Sequence, residues 1–464
     1  MQATSQLVRR GGGTALTLAI LSGAPFLASL DLFVVNVAFT AIGQDFRGHS
    51  LADLSWILNG YPIIYAALLV PFGRWADRVG HKRVFLIGLA LFVLASAAAA
   101  ASPSLAVLVA CRLAQAAGAA ALTPTSLGLL IHAIPVQQRD RAVRIWASAG
   151  AVASALGPVV GGFLVEFSWR WVFLINVPIG IVLLALGNRV IRDYQVADSA
   201  PGLDIVGAGL LAVGIGALAL GLTEGSAWGW TSGGVVGSLA LAVVALAAFA
   251  INNARHRSPI IPPSLLRVRT FAWSTVACLT FSATFGAGLL ASIFWLQDVW
   301  GYSAIETGLA IAPGPLMVPV FALGGQALGK RVRPGVLACA GCLLWAGGTL
   351  LMMVSVGPES RYLAEFLPAW LLTGIGVGLT LPTILASATA ELPPARSATG
   401  SAVVNMARQI GTVFGIAVLV AILGSPVGYT QAHNAFTVAW WTIIAIAVVA
   451  AAASLGLTQR KAAR

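Results

Sequence analysis

The sequence predicts an all-α integral membrane protein: two six-helix bundles plus two inserted helices, about 14 spans in all, with both termini cytoplasmic. Three observations lead there. Of 464 residues, 58% are hydrophobic and only 9% charged, with a mean hydropathy of +0.90. A soluble domain carries about 25% charge, so this chain has too little polar surface to face water all round. Second, apolar runs near the ~20 residues that a helix needs to cross a bilayer recur along its whole length. Third, the basic residues gather in every second gap between those runs, which is the distribution that orients a membrane protein.

The runs fall at about 14–38, 52–72, 84–101, 105–130, 142–165, 170–188, 204–222, 234–252, 271–296, 305–328, 335–355, 362–386, 398–423 and 436–457. The first follows Arg9-Arg10 and resembles a secretory leader. Its uncharged core outlasts the ~7–15 residues of such a leader, and no small-x-small cleavage site follows, so it reads as a retained helix. The second and third runs turn around on Gly73–Arg83, which carries five charges. The seventh and eighth stand between two polar linkers, Asp193–Asp204 and Arg255–Arg269. The tenth contains Pro313, Pro315 and Pro319, which weaken it as a helix and make it a gate candidate. With the N-terminus inside, 22 of the 27 Lys and Arg residues fall in cytoplasmic segments. Arg47, Arg170 and Arg361 lie outside; Arg112 and Arg408 lie within runs. Omitting one helix would invert every later gap and destroy the bias.

The expected organisation is a first bundle at 14–192, a linker with two extra helices at 193–270, a second bundle at 271–457 and a cytoplasmic tail at 458–464. A weak internal echo supports it. Gly157 and Gly161 recur in spacing as Gly411 and Gly415, and Gly73–Arg83 has a decayed counterpart at Gly325–Arg331 that lacks the aspartate. Parallel repeats of this kind are an expected transporter architecture.

Other function classes fit less well. The net charge of +12 has no aromatic-interleaved basic stripe behind it, so nucleic acid is not an expected partner. Cys111, Cys278, Cys339 and Cys342 all lie in apolar runs, and the Cys339/Cys342 pair has no second pair or nearby histidine to complete a metal site. Gly374-Ile-Gly376-Val-Gly378 follows no strand, which excludes a dinucleotide loop. The five histidines are scattered, with no HExxH or DDxxD cluster, so an enzyme is not expected, and neither is a cofactor.

Several motifs then line up in order. Gly73-Arg74-Trp75-Ala76-Asp77-Arg78-Val79-Gly80-His81-Lys82-Arg83 resembles the signature loop between helices 2 and 3 of the major facilitator superfamily. Leu30-Asp31-Leu32-Phe33-Val34-Val35-Asn36 and Ser55–Tyr61 resemble the first- and second-helix motifs of its fourteen-span drug:proton antiporters. Arg112-Leu113-Ala114-Gln115 resembles their fourth-helix arginine motif, Gly157-Pro158-Val159-Val160-Gly161-Gly162 their helix-5 antiporter motif, and Trp169–Gly180 their helix-6 start. Asn405-Met406-Ala407-Arg408-Gln409-Ile410-Gly411 resembles a helix-13 motif. His81 departs from the usual arginine of the loop, and Ala153 from a usual glycine of helix 5. The resemblance implies the major facilitator fold in the cell membrane. It also implies proton-coupled export of amphipathic, often cationic drugs by alternating access, the partners being small-molecule substrate, protons and lipid. A solute-uptake symporter, or an exporter of one metabolite or antibiotic, is the alternative on the same fold.

Intramembrane charges cost roughly 2.5–3.5 kcal/mol each on insertion scales, so each needs a partner or a task. If the first helix ends near Ala38, Asp31 and Arg112 each lie about seven residues from the outer face, ~10 Å deep, and can pair. Burial favours neutral Asp31 and Arg112 favours the ion, so both protonation states are within reach. The plainer reading is a structural ion pair. Glu365 is the next candidate for proton coupling. Gating is expected from Gly73, Asp77, Arg78, Gly80, Arg83 and Asp140 at the basic turn, with Asp77 meeting helix 13 near Ser397-Ala398-Thr399. Gly157, Pro158, Gly161 and Gly162 are expected to bend helix 5 and flatten one face for close packing. Asn36, Tyr61, Gln115, Asn405, Arg408 and Gln409 are expected to line the substrate cavity. Glu224, Asp298 and Glu306 are expected to be solvated, and Trp56, Trp228, Trp230, Trp295 and Trp300 to anchor the interface.

Overall fold

Each apolar run forms a helix, but most helices outlast their runs. The computed structural model describes residues 2–192, 202, 204–328, 332–392, 394–424 and 428–457, and all regular structure among them is helical. Fourteen helices can span a bilayer: α1 (Ala15–Asp45), α2 (Leu51–Val79), α3 (His81–Ala100), α4 (Leu105–Ala133), α5 (Arg141–Val165), α6 (Trp171–Val190), α7 (Ile205–Thr223), α8 (Gly233–Arg255), α9 (Arg269–Val299), α10 (Ala304–Gly325), α11 (Pro334–Ser355), α12 (Tyr362–Ala390), α13 (Thr399–Leu423) and α14 (Gly428–Ser454).

Hydropathy marks where a helix is in lipid, whereas capping marks where it stops. α2 opens on a capping box in which Ser50 and Asp53 satisfy each other's backbone N–H groups. It then continues through Arg74 and Asp77 to Val79. The charged Gly73–Arg83 stretch is therefore two helix ends around one residue, Gly80, whose φ of 105° a side chain would resist.

The helix pairings repeat. α1 packs on α5 as α9 does on α13, α3 on α4 as α11 on α12, and α2 on α4 as α10 on α12. Small residues let the backbones meet. A methyl on Gly118 would lie 2.7 Å from the Gly88 carbonyl oxygen, and one on Gly376 would lie 2.6 Å from that of Gly341. The Gly157/Gly161 pair sits on Phe33 and Val34 of α1, and Gly411/Gly415 on Leu279 and Ala283 of α9.

α7 pairs with α8 and also lies against α2 and α13, along the seam between the bundles. Buried Asp204 caps α7 through Gly207 N–H and accepts from Asn252 on α8. Arg74 of α2 donates to the carbonyls of Ser258 and Pro259 beyond α8.

Across the seam, Phe33 meets Phe285 and Phe39 meets Phe294, with ring centroids 6.2 and 5.4 Å apart. Gln297 donates to the Val37 carbonyl at 3.3 Å. α5 touches α10 backbone to backbone: a methyl on Gly162 would lie 2.5 Å from the Ala304 oxygen, and one on Gly308 2.2 Å from that of Pro158. These contacts close the end opposite the basic turns. The main partners of α4 and α12 lie within their own bundles.

Two expectations about helix ends are overturned. Trp295 is fully buried, packed on Phe436 and Trp440, and not at an interface. Glu224 is buried at the end of α7. Asp298 is exposed, as is Glu306, which caps α10 with Ser303.

Candidate functional site

α1, α3, α4 and α6 converge on one carboxylate. Arg112 Nη1 lies 2.5 Å from Asp31 Oδ2. Gln115, one turn along α4 and therefore on the same face, donates to Asp31 Oδ1 at 2.7 Å and to Ser96 Oγ at 2.6 Å. Its own oxygen accepts from Arg112 Nη1 at 2.6 Å. Asn176 of α6 donates to Asp31 Oδ1 at 2.9 Å. Arg112 also donates from Nε to the Ile57 carbonyl, and its guanidinium lies 4.5 Å from the Tyr61 ring centroid and 5.7 Å from that of Phe173.

Asp31, Arg112, Gln115, Asn176 and Ser96 are all at 0% exposure. The carboxylate is thus sealed in the first bundle, and so are Tyr61 and Gln115, which sequence reasoning assigned to the cavity. The depth count also needs correcting. Asp31 lies twice as many residues from the end of α1 as Arg112 does from the start of α4, because α1 overhangs its neighbour. The charges meet by helix offset and not by equal counts.

Such a pair is costly to bury and worse to break. Removing one partner of a buried ion pair typically costs 3–5 kcal/mol. Here the donors from Gln115 and Asn176 supply hydrogen bonds that offset the lost water. Asn176 stands within the α6 motif, which by itself implies no role for it. Its signal was an amide inside an apolar run. Ser96 gave no signal, being one small residue in an alanine-rich helix.

At the basic end, Asp77 meets His81 Nε2 at 2.9 Å, while Arg78 and Arg83 are exposed. Gly73 packs toward Pro124 of α4. The side chains of Asp140, Ser397 and Ala398 lie outside the described residues, and the helix that contains the α13 span begins at Pro394, so Ser397–Thr399 is already helical. The helix-5 motif serves two faces: Gly157 and Gly161 hold α1, while Pro158 and Gly162 hold α10.

In the second bundle, Glu365 lies at the end opposite the basic turns. It accepts from Gly357 N–H at 3.2 Å and stands 3.9 Å from Arg361. Asn36 and Asn405 each donate back to their own helix, at Leu32 and Ser401. Gln409 is buried, and Arg408 is partly exposed with a buried Nε that has no partner.

The family model of the Major Facilitator Superfamily matches residues 21–416. The chain belongs to that superfamily. Among its relatives, the methylenomycin A resistance protein of Streptomyces coelicolor is 34% identical, over 90% of this chain and 87% of that one. The cephamycin export protein CmcT of Amycolatopsis lactamdurans is 36% identical, over 89% and 85%. The multidrug resistance protein Stp of Mycobacterium tuberculosis is 34% identical, over 88% and 76%. Among solved structures, a peptide transporter POT in complex with sulfate superposes with a TM-score of 0.69 at 20% identity, covering 95% of this chain and 93% of that one. A D-xylose–proton symporter gives 0.68 at 14% identity, covering 96% and 98%. At such identities the likeness concerns the fold. This superfamily member is a multi-pass protein of the cell membrane.

Proposed function

We propose that this transporter exports amphipathic small molecules from the cytoplasm in exchange for protons, without a covalent reaction step. The observation that carries the reading is the sealed Asp31–Arg112 pair, a carboxylate locked inside a bundle that must move during alternating access. Because Asp31 faces no cavity, its coupling to substrate is conformational. Ionised Asp31 holds Arg112, Gln115 and Asn176 in one arrangement; neutral Asp31 releases Arg112 and loosens the fit of α1 against α4. The Pro158/Gly162 contact with α10 then opens, with Asp77 and its neighbours closing the basic end. A ligand shifts such an equilibrium only by its differential affinity for the two states, so substrate and proton must prefer opposite ones.

Asp31→Asn mimics the protonated form. It is expected to abolish pH-driven efflux while leaving a folded, inserted protein, and Asp31→Glu to keep partial activity. Substrate-induced proton release from detergent-purified protein is the deciding measurement. A mutant that releases protons like the wild type removes Asp31 from the mechanism and makes Glu365 the next carboxylate to test. A narrower reading, export of a single antibiotic, is favoured by the relatives named for methylenomycin A and cephamycin. Drug susceptibility across a panel, with the gene expressed or deleted, separates the two readings, and net accumulation would indicate uptake instead.

A further inference from the structure

Resting on that transport reading, we infer that the substrate is held through a carboxylate, recognised by Arg408 at the seam between the bundles. Charge accounting comes first. Of the 15 acidic residues, Asp31 alone lies deep within a span, and it is consumed by Arg112. The others sit at span ends or in the segments between spans. Two arginines lie deep within spans, Arg112 and Arg408. The membrane interior therefore carries one cation in excess, and Arg408 is that cation.

Its surroundings agree. Among the described residues, Arg408 makes no ion pair and donates no hydrogen bond, and its Nε is buried without a partner. Its helix, α13, packs against α2 of the other bundle and α9 of its own. A guanidinium cannot shed its proton in a protein, so Arg408 stays charged at this depth. An unpaired charge at this depth is expensive, and a carboxylate can relieve the cost through the two-point hydrogen bonding that guanidinium favours. A cationic substrate would meet a like charge with no carboxylate to offset it. Within the exported amphipathic class, Arg408 selects molecules that carry a carboxylate.

The placement also relates substrate to proton. Tyr65 stacks on Tyr61, with centroids 6.3 Å apart and planes within 15°. Tyr61 in turn covers the Arg112 guanidinium. These tyrosines lie on α2, the helix of the first bundle against which α13 packs.

The test is a binding titration on full-length protein in zwitterionic nanodiscs. Three probes share one ring system: 2-naphthoate, its methyl ester and 2-naphthylmethylammonium. Wild type is expected to bind the carboxylate about tenfold or more tightly than the other two. Arg408→Gln should bring all three within about twofold of one another, and Arg408→Lys should keep a reduced preference for the carboxylate. Wild type favouring the ammonium, or treating all three alike, overturns the inference. So does a preference that survives in Arg408→Gln with an unchanged size-exclusion profile. Where that variant does not fold, a Lys variant preferring the ester overturns it equally. Repeating the titration with phosphatidylglycerol separates sources of the anion: loss of naphthoate binding would assign Arg408 to a lipid headgroup and overturn the substrate assignment. None of these readings needs a gradient or a transport direction, so failure of the export reading is seen separately, in the efflux assays.

Discussion

The two bundles share a scaffold and differ in what fills it. Counted from the paired glycines, Arg112 and Gln115 stand six and three residues before Gly118; Trp370 and Thr373 stand six and three before Gly376. Ser96 stands eight after Gly88, and Thr349 eight after Gly341. The same positions thus hold the arginine of a sealed ion pair, a glutamine and a serine in one bundle, and a tryptophan and two threonines in the other. Trp345, Trp370 and Trp440, with Ser292, Thr349 and Thr373, enclose about 10 Å³ of free space, roughly room for one water. Among the described residues, the first bundle buries a fully enclosed carboxylate, Asp31, at 0% exposure, and the second bundle has no counterpart to it. In the second, Thr349 and Thr373 donate to their own helices, and the intramembrane charge, Arg408, is on α13, which packs against α2 of the other bundle. Under the proposed mechanism the first half is the one that responds to protons.

Matched substitutions can break this comparison. The largest effect is expected for Arg112→Met, which leaves Asp31 buried and unpaired at a cost of about 3–5 kcal/mol. Adding Asp31→Asn should recover most of the thermal stability without recovering pH-driven transport. At the matching position, Trp370→Ala should cost a similar 3–5 kcal/mol or so through the cavity it leaves, yet keep the pH profile of whatever transport remains. A shifted profile in that variant would mean the second bundle also titrates.

Next come the glycines. Gly161→Ala places a methyl 2.9 Å from the Val34 oxygen, and Gly415→Ala 2.0 Å from that of Ala283. Both should destabilise by roughly 1–3 kcal/mol, with Gly415 the worse, as read from melting in detergent. The reverse order would show that α9 yields more readily than α1.

Smaller still is the hydroxyl pair. Ser96 accepts from Gln115 and Asn176, so Ser96→Ala should cost about 1 kcal/mol and perturb proton release. Thr349 donates only to the Trp345 carbonyl of its own helix, and Thr349→Ala should change proton release not at all.

The smallest effect is expected outside both bundles. Burial, and then the Asp53 charge, push the Glu224 carboxyl above its ordinary value. The folded state therefore holds that proton more tightly than the unfolded chain does. The stability it contributes is greatest at low pH and is lost as pH rises through the raised value. Glu224→Gln should flatten this slope in melting curves taken from mildly acidic to neutral pH.

The sequence by itself determined the helices, the membrane and the identity of the charges that matter. Lipid solvates no backbone polar group and few ions, so every span and every intramembrane charge had to show in composition. Asp31, Arg112 and Arg408 were visible for that reason, and the Gly157/Gly161 and Gly411/Gly415 echo because backbone contact admits only small residues. Tertiary structure alone decided what those groups face. Asp31 is sealed because Asn176, Tyr61 and Phe173 arrive from two other helices, and the overhang of α1 sets its level. Trp295 is buried because α14 covers it. The helix-5 motif has two faces because two helices pack on it. Apolar periodicity reports that a face is not in water, but lipid, a neighbouring helix and a sealed polar core leave the same pattern in the chain. Only the arrangement of the other helices tells them apart.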